Sequence, residues 1–188
     1  MKNIKIYALT TILTIFLSGS KEMKAQIFDS LDSSPHDIAY FKTNKRAPQV
    51  KVVYGRPVAK DKQVFGTQIP FGKVWGTGSN EATEIKFYQD TMFGNKFVKA
   101  GTYVLYTIPK ENYWTIILNS KTDTYGVHFY NPDNNIAQIE VPATKGEMVK
   151  NFSIAFSIKN YGSQMVLAWA KTRVKVPLYT EQSLITRI

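Results

Sequence analysis

Apolar residues in this chain recur at every second position, and that period of two constrains the fold more than any other feature. Val50, Val52 and Tyr54 share one parity, as do Ile85 and Phe87, Trp114, Ile116 and Leu118, and Phe152, Ile154, Phe156 and Ile158. Successive side chains of a strand point to opposite faces, so each set marks a strand with one face on a core and the other toward water. From Gln164 to Val176 the pattern shifts. Met165, Leu167 and Trp169 first stand against Val166, Ala168 and Ala170, both parities apolar, and then Lys171, Arg173 and Lys175 take one parity. That shift predicts a strand running from a covered part of a sheet to an open one, its three cations either a basic patch or a guard against edge pairing.

Turn signals separate these runs. Gly94-Asn95 within Met92 to Val98 reads as a tight hairpin, Asn160-Tyr161-Gly162-Ser163 as another, and Asn131 to Asn135 as a longer loop. Lys45-Arg46-Ala47-Pro48 joins an early strand near Asp37 to Lys42 to the one beginning at Gln49, and the one candidate helix is short, around Glu181 to Thr186. Eight or nine strands at this spacing predict an all-β domain, a single antiparallel β-sandwich of jelly-roll-like type or a related barrel.

Lys2 and Lys5 precede an apolar run from Ile6 to Leu17 and then Ser18-Gly19-Ser20. The run is shorter than the roughly 18 to 20 residues a membrane span requires and has the layout of a secretory signal peptide over residues 1–25. Cleavage is expected after Ser20 or Ala25, leaving residues 26–188 as one domain with a short tail and no transmembrane segment. The expected location is the periplasm, the outer-membrane surface or the exterior. Ser20 stands where a lipobox carries its lipidated cysteine, so a lipid anchor cannot form by that route. The 188 residues include no cysteine, which removes disulfides, thiolate nucleophiles and thiolate metal ligands. Net charge is +10, and loss of four lysines and one glutamate with the leader leaves +7. These cations are dispersed, which reads as a soluble surface or as contact with an anionic envelope surface or acidic glycan, and export argues against nucleic acid.

One segment fits neither period. From Tyr54 to Thr83, glycines, prolines, aromatics and charges are interleaved. Tyr54-Gly55-Arg56-Pro57, Val64-Phe65-Gly66, Pro70-Phe71-Gly72-Lys73-Val74-Trp75 and Thr77-Gly78-Ser79-Asn80-Glu81-Ala82-Thr83, followed by Ala100-Gly101-Thr102-Tyr103 and Thr107-Ile108-Pro109, resemble the signature of the bacterial domain of unknown function family 2911. The resemblance spans about Ser34 to Pro177 and implies export from Gram-negative cells and a β-rich fold, with no established activity. Relatives usually carry Arg after the motif Trp and Lys-Gly-Arg before the Phe-Gly segment. This chain has Gly76 and Lys60-Asp61-Lys62 there, so an anion site built on those arginines would be incomplete.

Within the segment, Arg56 continues the parity of Val50, Val52 and Tyr54, and Glu81 shares a parity with Thr83, Ile85 and Phe87. Both charges therefore point inward if the strands continue unbroken, and an unpaired inward charge costs several kcal/mol, on the order of a strongly shifted pKa. Arg56 and Glu81 are expected to approach each other, as a charge-assisted pair that fixes strand register or as two walls of one pocket, unless bulges at Gly55 or Gly78 break the parity. Gly76 to Asn80 offers backbone N–H groups to an oxygen ligand or is simply turn geometry. His128, among Tyr125, Phe129 and Tyr130, is read as a wall residue or as a base near Glu81. Only His36 and His128 are available as histidine ligands and they lie far apart, Asp133-Asn134-Asn135 is poor in carboxylates for calcium, and no cofactor motif is present.

These readings favour a non-catalytic envelope domain that binds a glycan, peptide or other polar ligand. Its cleft would be floored by Arg56 and Glu81 and rimmed by Trp75, Asn80 and His128. The alternative is a hydrolase or lyase with Glu81, assisted by His128, as acid or base. It lacks an evident second carboxylate, because Glu84 would face away on a continuous strand. A purely structural envelope protein is the third reading.

Overall fold

The computed structural model describes residues 32–42, 47–61, 63–159 and 162–180. Nine strands follow in chain order: β1 (His36–Lys42), β2 (Pro48–Gly55), β3 (Glu84–Phe87), β4 (Thr91–Phe93), β5 (Lys96–Val98), β6 (Gly101–Pro109), β7 (Tyr113–Asn119), β8 (Asn135–Lys159) and β9 (Gly162–Thr180). All pair antiparallel, in the order β1-β2-β3-β6-β7-β8-β9-β4-β5. The domain is all-β, of sandwich or related barrel type, as the alternation predicts. The expected leader, the Lys45-Arg46 link and the C-terminal helix lie outside the described residues.

The long β8 serves both layers. Residues 135–142 pair with β7, and residues from Ala143 onward pair with β9. Its second half thereby comes over the inner face of the first layer, where the Phe152 ring meets the Tyr54 ring of β2 edge-on at 5.7 Å. One core joins Val52, Ile85, Leu105 and Ile116 to Phe152, Leu167 and Trp169. All three tryptophans meet in it, Trp75 stacked on Trp169 at 5.7 Å and Phe65 edge-on to Trp114 at 4.5 Å. Burying each such side chain contributes roughly 1.5–3 kcal/mol, so this cluster is a main anchor of the two layers.

The pattern shift in β9 is a change of face. Ser163, Met165, Leu167 and Trp169 are buried on one parity, and Ala170, Val174, Val176 and Leu178 on the other. Ala170, at φ +47°, sits where the β8–β9 register breaks, and an irregular residue there turns the following side chains over. Lys171 and Lys175 emerge exposed, whereas the Arg173 guanidinium folds back to donate to the carbonyls of Ala170, Thr172 and Glu147.

The hairpin at Gly94-Asn95 forms, with Gly94 in the left-handed region and Phe93 paired to Lys96. Pro132–Asn134 is one turn of 3-10 helix capped by Asn131, whose side chain accepts from the Asp133 N–H. Lys159 pairs with Gly162, which leaves the second hairpin turn to two residues outside the described set. β6 and β7 are covered on both faces: Val104, Tyr106 and Ile117 on the outer one pack with Ala82, Val74 and Tyr130. That outer cover is made by two loops, and it positions the candidate site.

Candidate functional site

After β2 the chain does not return to regular strand until Glu84, yet the nonperiodic segment is tied down along its length. Trp75 and Thr107 exchange backbone hydrogen bonds of 2.8 and 3.0 Å, extending the sheet beside β6. Farther on, the Ala82 N–H donates to the Thr124 carbonyl and the Gly126 N–H to the Asn80 carbonyl, both at 2.9 Å, pairing residues 80–82 with 124–126. The crossing of these strands of loop requires glycine at Gly55 and leaves little room for a side chain at Gly76. A Cβ on Gly55 would stand 2.1 Å from the Ser79 carbonyl oxygen, and one on Gly76 3.3 Å from the backbone of Gly126. Gly76 is the position where the resemblance leads one to expect Arg, and the approach of Gly126 accounts for the small residue.

Three non-glycine residues here, Thr77, Asn80 and Asp123, have φ of 57°, 64° and 56°. Left-handed backbone costs L-residues about 1–2 kcal/mol each, most for β-branched threonine. Thr77 is held there by burial and by its bonds: its hydroxyl meets that of Thr107 at 3.2 Å, and its carbonyl accepts from the Thr83 hydroxyl at 2.8 Å. Strain concentrated at one place and held by its surroundings is a recurring property of binding sites.

The two charges at the ends of the segment do not pair with each other. Arg56 does continue the inward parity of Tyr54. Its guanidinium joins Asp37 at 2.9 Å, the Phe152 carbonyl at 3.1 Å and the Ser153 hydroxyl at 2.8 Å, fastening β2 to β8. Glu81 instead lies outside, 62% exposed, with its carboxylate 2.7 Å from His36 Nε2. His36 and Asp37 are consecutive in β1 and so point to opposite faces. Arg56 and Glu81 are therefore divided by the sheet. The expected parity fails because β3 starts only at Glu84, and Glu81 belongs to the separate pairing with Tyr125.

Beside the Arg56 bonds, the Tyr54 hydroxyl accepts from the Ile154 N–H at 3.0 Å, and burial first of all raises the pKa of this phenol. Arg56 thus has the inter-layer contacts of a structural residue. Trp75, Asn80, Glu81 and His128, the other four residues singled out in the sequence, line one cleft of about 270 Å³, together with Ser79 and Tyr125. Trp75 contributes a mostly buried ring whose indole N–H donates to the Gly78 carbonyl at 2.9 Å. The Asn80 side chain donates to Asp32 at 2.6 Å and accepts from the Tyr125 hydroxyl at 3.4 Å. His128 is exposed and lies in a turn. The Ser79 hydroxyl oxygen is buried at this wall without a partner among the described residues.

A second hollow of about 360 Å³ shares Glu81 and adds His36, Glu84, Asp123 and Thr124. Glu84, whose carboxylate accepts from the Asp123 N–H at 3.2 Å, thus stands in the same hollow as Glu81, contrary to the strand parity. Three carboxylates against one histidine make this region acidic in a chain of net charge +10. Strand parity set Glu84 aside, and nothing in the sequence joined His36 or Asp123 to Glu81, because the convergence depends on the 80–82 to 124–126 pairing. Among the described residues, no group of three His, Asp or Glu side chains is arranged to hold a metal ion.

A family model described as protein of unknown function (DUF2911) matches residues 34–178. The chain belongs to the DUF2911 family. No curated protein and no solved structure matches it. The motif residues by which the DUF2911 resemblance is carried fall on β2, on the tied-down segment and on β6, so the family signature and the strained, glycine-crossed loop are one object.

Proposed function

We propose that this DUF2911 chain is an exported, non-catalytic binding domain of the cell envelope, whose polar ligand, a glycan or a peptide, lies along the two hollows that meet at Glu81. One observation carries the reading: four side chains of the nonperiodic segment and the facing turn, Trp75, Asn80, Glu81 and His128, border a single cleft. The Ser79 hydroxyl, without a partner among the described residues, and the left-handed Asn80 backbone lie at the same place, and the left-handed Asp123 lines the adjoining hollow. The acidic lining favours a neutral or cationic ligand, such as a sugar chain presenting hydroxyl donors or a lysine-bearing peptide. Tyr125, more than half exposed, offers a ring for stacking. The charged amino-terminal leader supports export to the periplasm, the outer-membrane surface or the exterior.

The placement of Glu84 and Asp123 in one hollow with Glu81 favours a second reading, a hydrolase or lyase in which Glu81 is the acid or base and a neighbouring carboxylate its partner. A panel of neutral and amino-bearing oligosaccharides and short cationic peptides, screened for binding and for turnover, separates the two. Binding without turnover, weakened about tenfold by Glu81→Gln, is the result expected of a binding domain. Turnover that Glu81→Gln abolishes while affinity stays would establish the enzyme, and binding that ignores Glu81→Gln and Asn80→Ala would remove the site.

A further inference from the structure

A third hollow, of about 440 Å³, lies at the other end of β6 and β7, around the 110–112 turn, and its chemistry is the reverse of the acidic cleft. Three lysines from three separate elements line it: Lys110 from the β6–β7 turn, Lys145 from β8 and Lys171 from β9, with Glu111 as the opposing charge. The hydroxyl-bearing Thr172 and the amide-bearing Asn112 add donors, while the Thr144 hydroxyl donates to the Arg173 carbonyl at 3.3 Å. Lysines that guard a sheet edge stand singly along it and do not need a hollow between them. Here Lys145 and Lys171 come from paired strands to line one partly open hollow, within the size range of small-molecule sites, and Lys110 lines it from the turn with its ammonium also held by the Tyr113 hydroxyl and ring.

Two further features mark the same place. The ladder opens at it: Lys145 pairs with Thr172, yet the next pair is Val149 with Ala170, so residues 146–148 bulge opposite Lys171 alone. Ala170, the fourth left-handed non-glycine residue, lines the hollow at this opening, and irregularities of this kind re-aim side chains beside binding sites. Trp114 forms part of the wall, and its buried indole N–H is an unpartnered donor among the described residues. The ring of Phe71, 41% exposed, stands among the lining residues as an apolar face.

We infer that this hollow is a second binding site, for a sugar that carries a carboxylate or phosphate. The cations and neutral donors take the anion, and Phe71 takes the ring face. The site is independent of the Glu81 cleft and does not rest on the reading given for it.

Calorimetric titration of the full chain with glucuronic acid, glucose 6-phosphate, uncharged glucose, inorganic phosphate and a linear oligouronate tests the inference. One-to-one binding of a charged sugar is expected, at least about tenfold tighter than glucose or inorganic phosphate, and weakened by rising salt. Lys145→Gln/Lys171→Gln should lower that affinity by about tenfold or more, and Phe71→Ala by a smaller factor, while Glu81→Gln leaves it unchanged. The oligouronate distinguishes sources: tighter binding than the monomer assigns the site to a polymer, and equal binding to a free sugar acid. Phosphate binding as well as glucose 6-phosphate would overturn the role of the ring. Equal binding of glucose, an unaffected double lysine variant with native melting behaviour, or no binding of any charged sugar would overturn the site.

Discussion

Substituting Gly55 by alanine tests how the nonperiodic segment is held. The new Cβ would stand 2.1 Å from the Ser79 carbonyl oxygen, 2.7 Å from its hydroxyl and 2.9 Å from its carbonyl carbon. Ordinary carbon–oxygen contact begins more than about 1 Å farther out, and two of the three atoms are backbone, so no rotamer change relieves the clash. Either the end of β2 or the 76–80 loop has to move. Movement of the loop pulls on the Trp75–Gly78 and Thr83–Thr77 hydrogen bonds, and movement of β2 pulls Arg56 from β8. Overpacking costs about 1–3 kcal/mol, and a backbone clash belongs at the upper end. At about 2–4 °C per kcal/mol for a domain of this size, Gly55→Ala should lower the melting temperature by roughly 6–12 °C in a calorimetric or circular-dichroism melt. Gly101→Ala is the control, because its nearest contact is the end of the Tyr103 side chain at 3.3 Å, and it should melt within about 2 °C of the parent. A Gly55→Ala protein that melts with the control would refute the close packing of β2 on the loop.

Three further variants have expected outcomes. Arg56→Ala, which removes the bonds to Asp37, the Phe152 carbonyl and Ser153, should cost about 1–3 kcal/mol by urea denaturation; most of that comes from the uncharged partners, because the ion pair is partly exposed. Tyr54→Phe deprives the Ile154 N–H of its acceptor, for about 1–3 kcal/mol. Because the folded state holds the Tyr54 proton above its ordinary pKa, stability is full below pH of about 10 and falls as pH rises beyond it, and Tyr54→Phe should flatten that alkaline slope in pH-dependent melts. The Asp90 carboxylate, which accepts first from Lys99 and then from the Ala100 N–H, is held below its ordinary value. Its contribution is present above the unfolded pKa and is lost as pH falls through the folded one, and carbon-detected NMR titration should find Asp90 the more acidic in the parent than in Lys99→Ala.

The alternation of apolar residues revealed the strands because half-buried strands leave a local trace at every second residue. The β4–β5 hairpin was equally local, resting on Gly94 and its neighbour. The face change at Ala170 was visible only as a shift of pattern, read as a passage from a covered to an open part of the sheet, since one irregular residue exchanges the parities without altering composition. Arg56 followed its parity because β2 runs to Gly55 without a break, whereas Glu81 did not because the strand assumed for it begins three residues later. Trp75 and Asn80 stood out within the nonperiodic segment, Glu81 as a charge on an inward parity and His128 as a histidine among aromatics, and all four border one cleft. Their neighbours His36, Glu84 and Asp123 come from three distant stretches joined by tertiary pairing, for which no local periodicity exists.

We propose that a polar ligand occupies the hollows around Glu81. Amide chemical-shift mapping tests it most directly, with a labelled chain titrated with whichever neutral glycan or cationic peptide binds from the panel. The largest changes are expected on residues 76–82 and 123–128 and on His36, and Glu81→Gln should diminish them together. Changes concentrated elsewhere on the domain, or undiminished in Glu81→Gln, would contradict it.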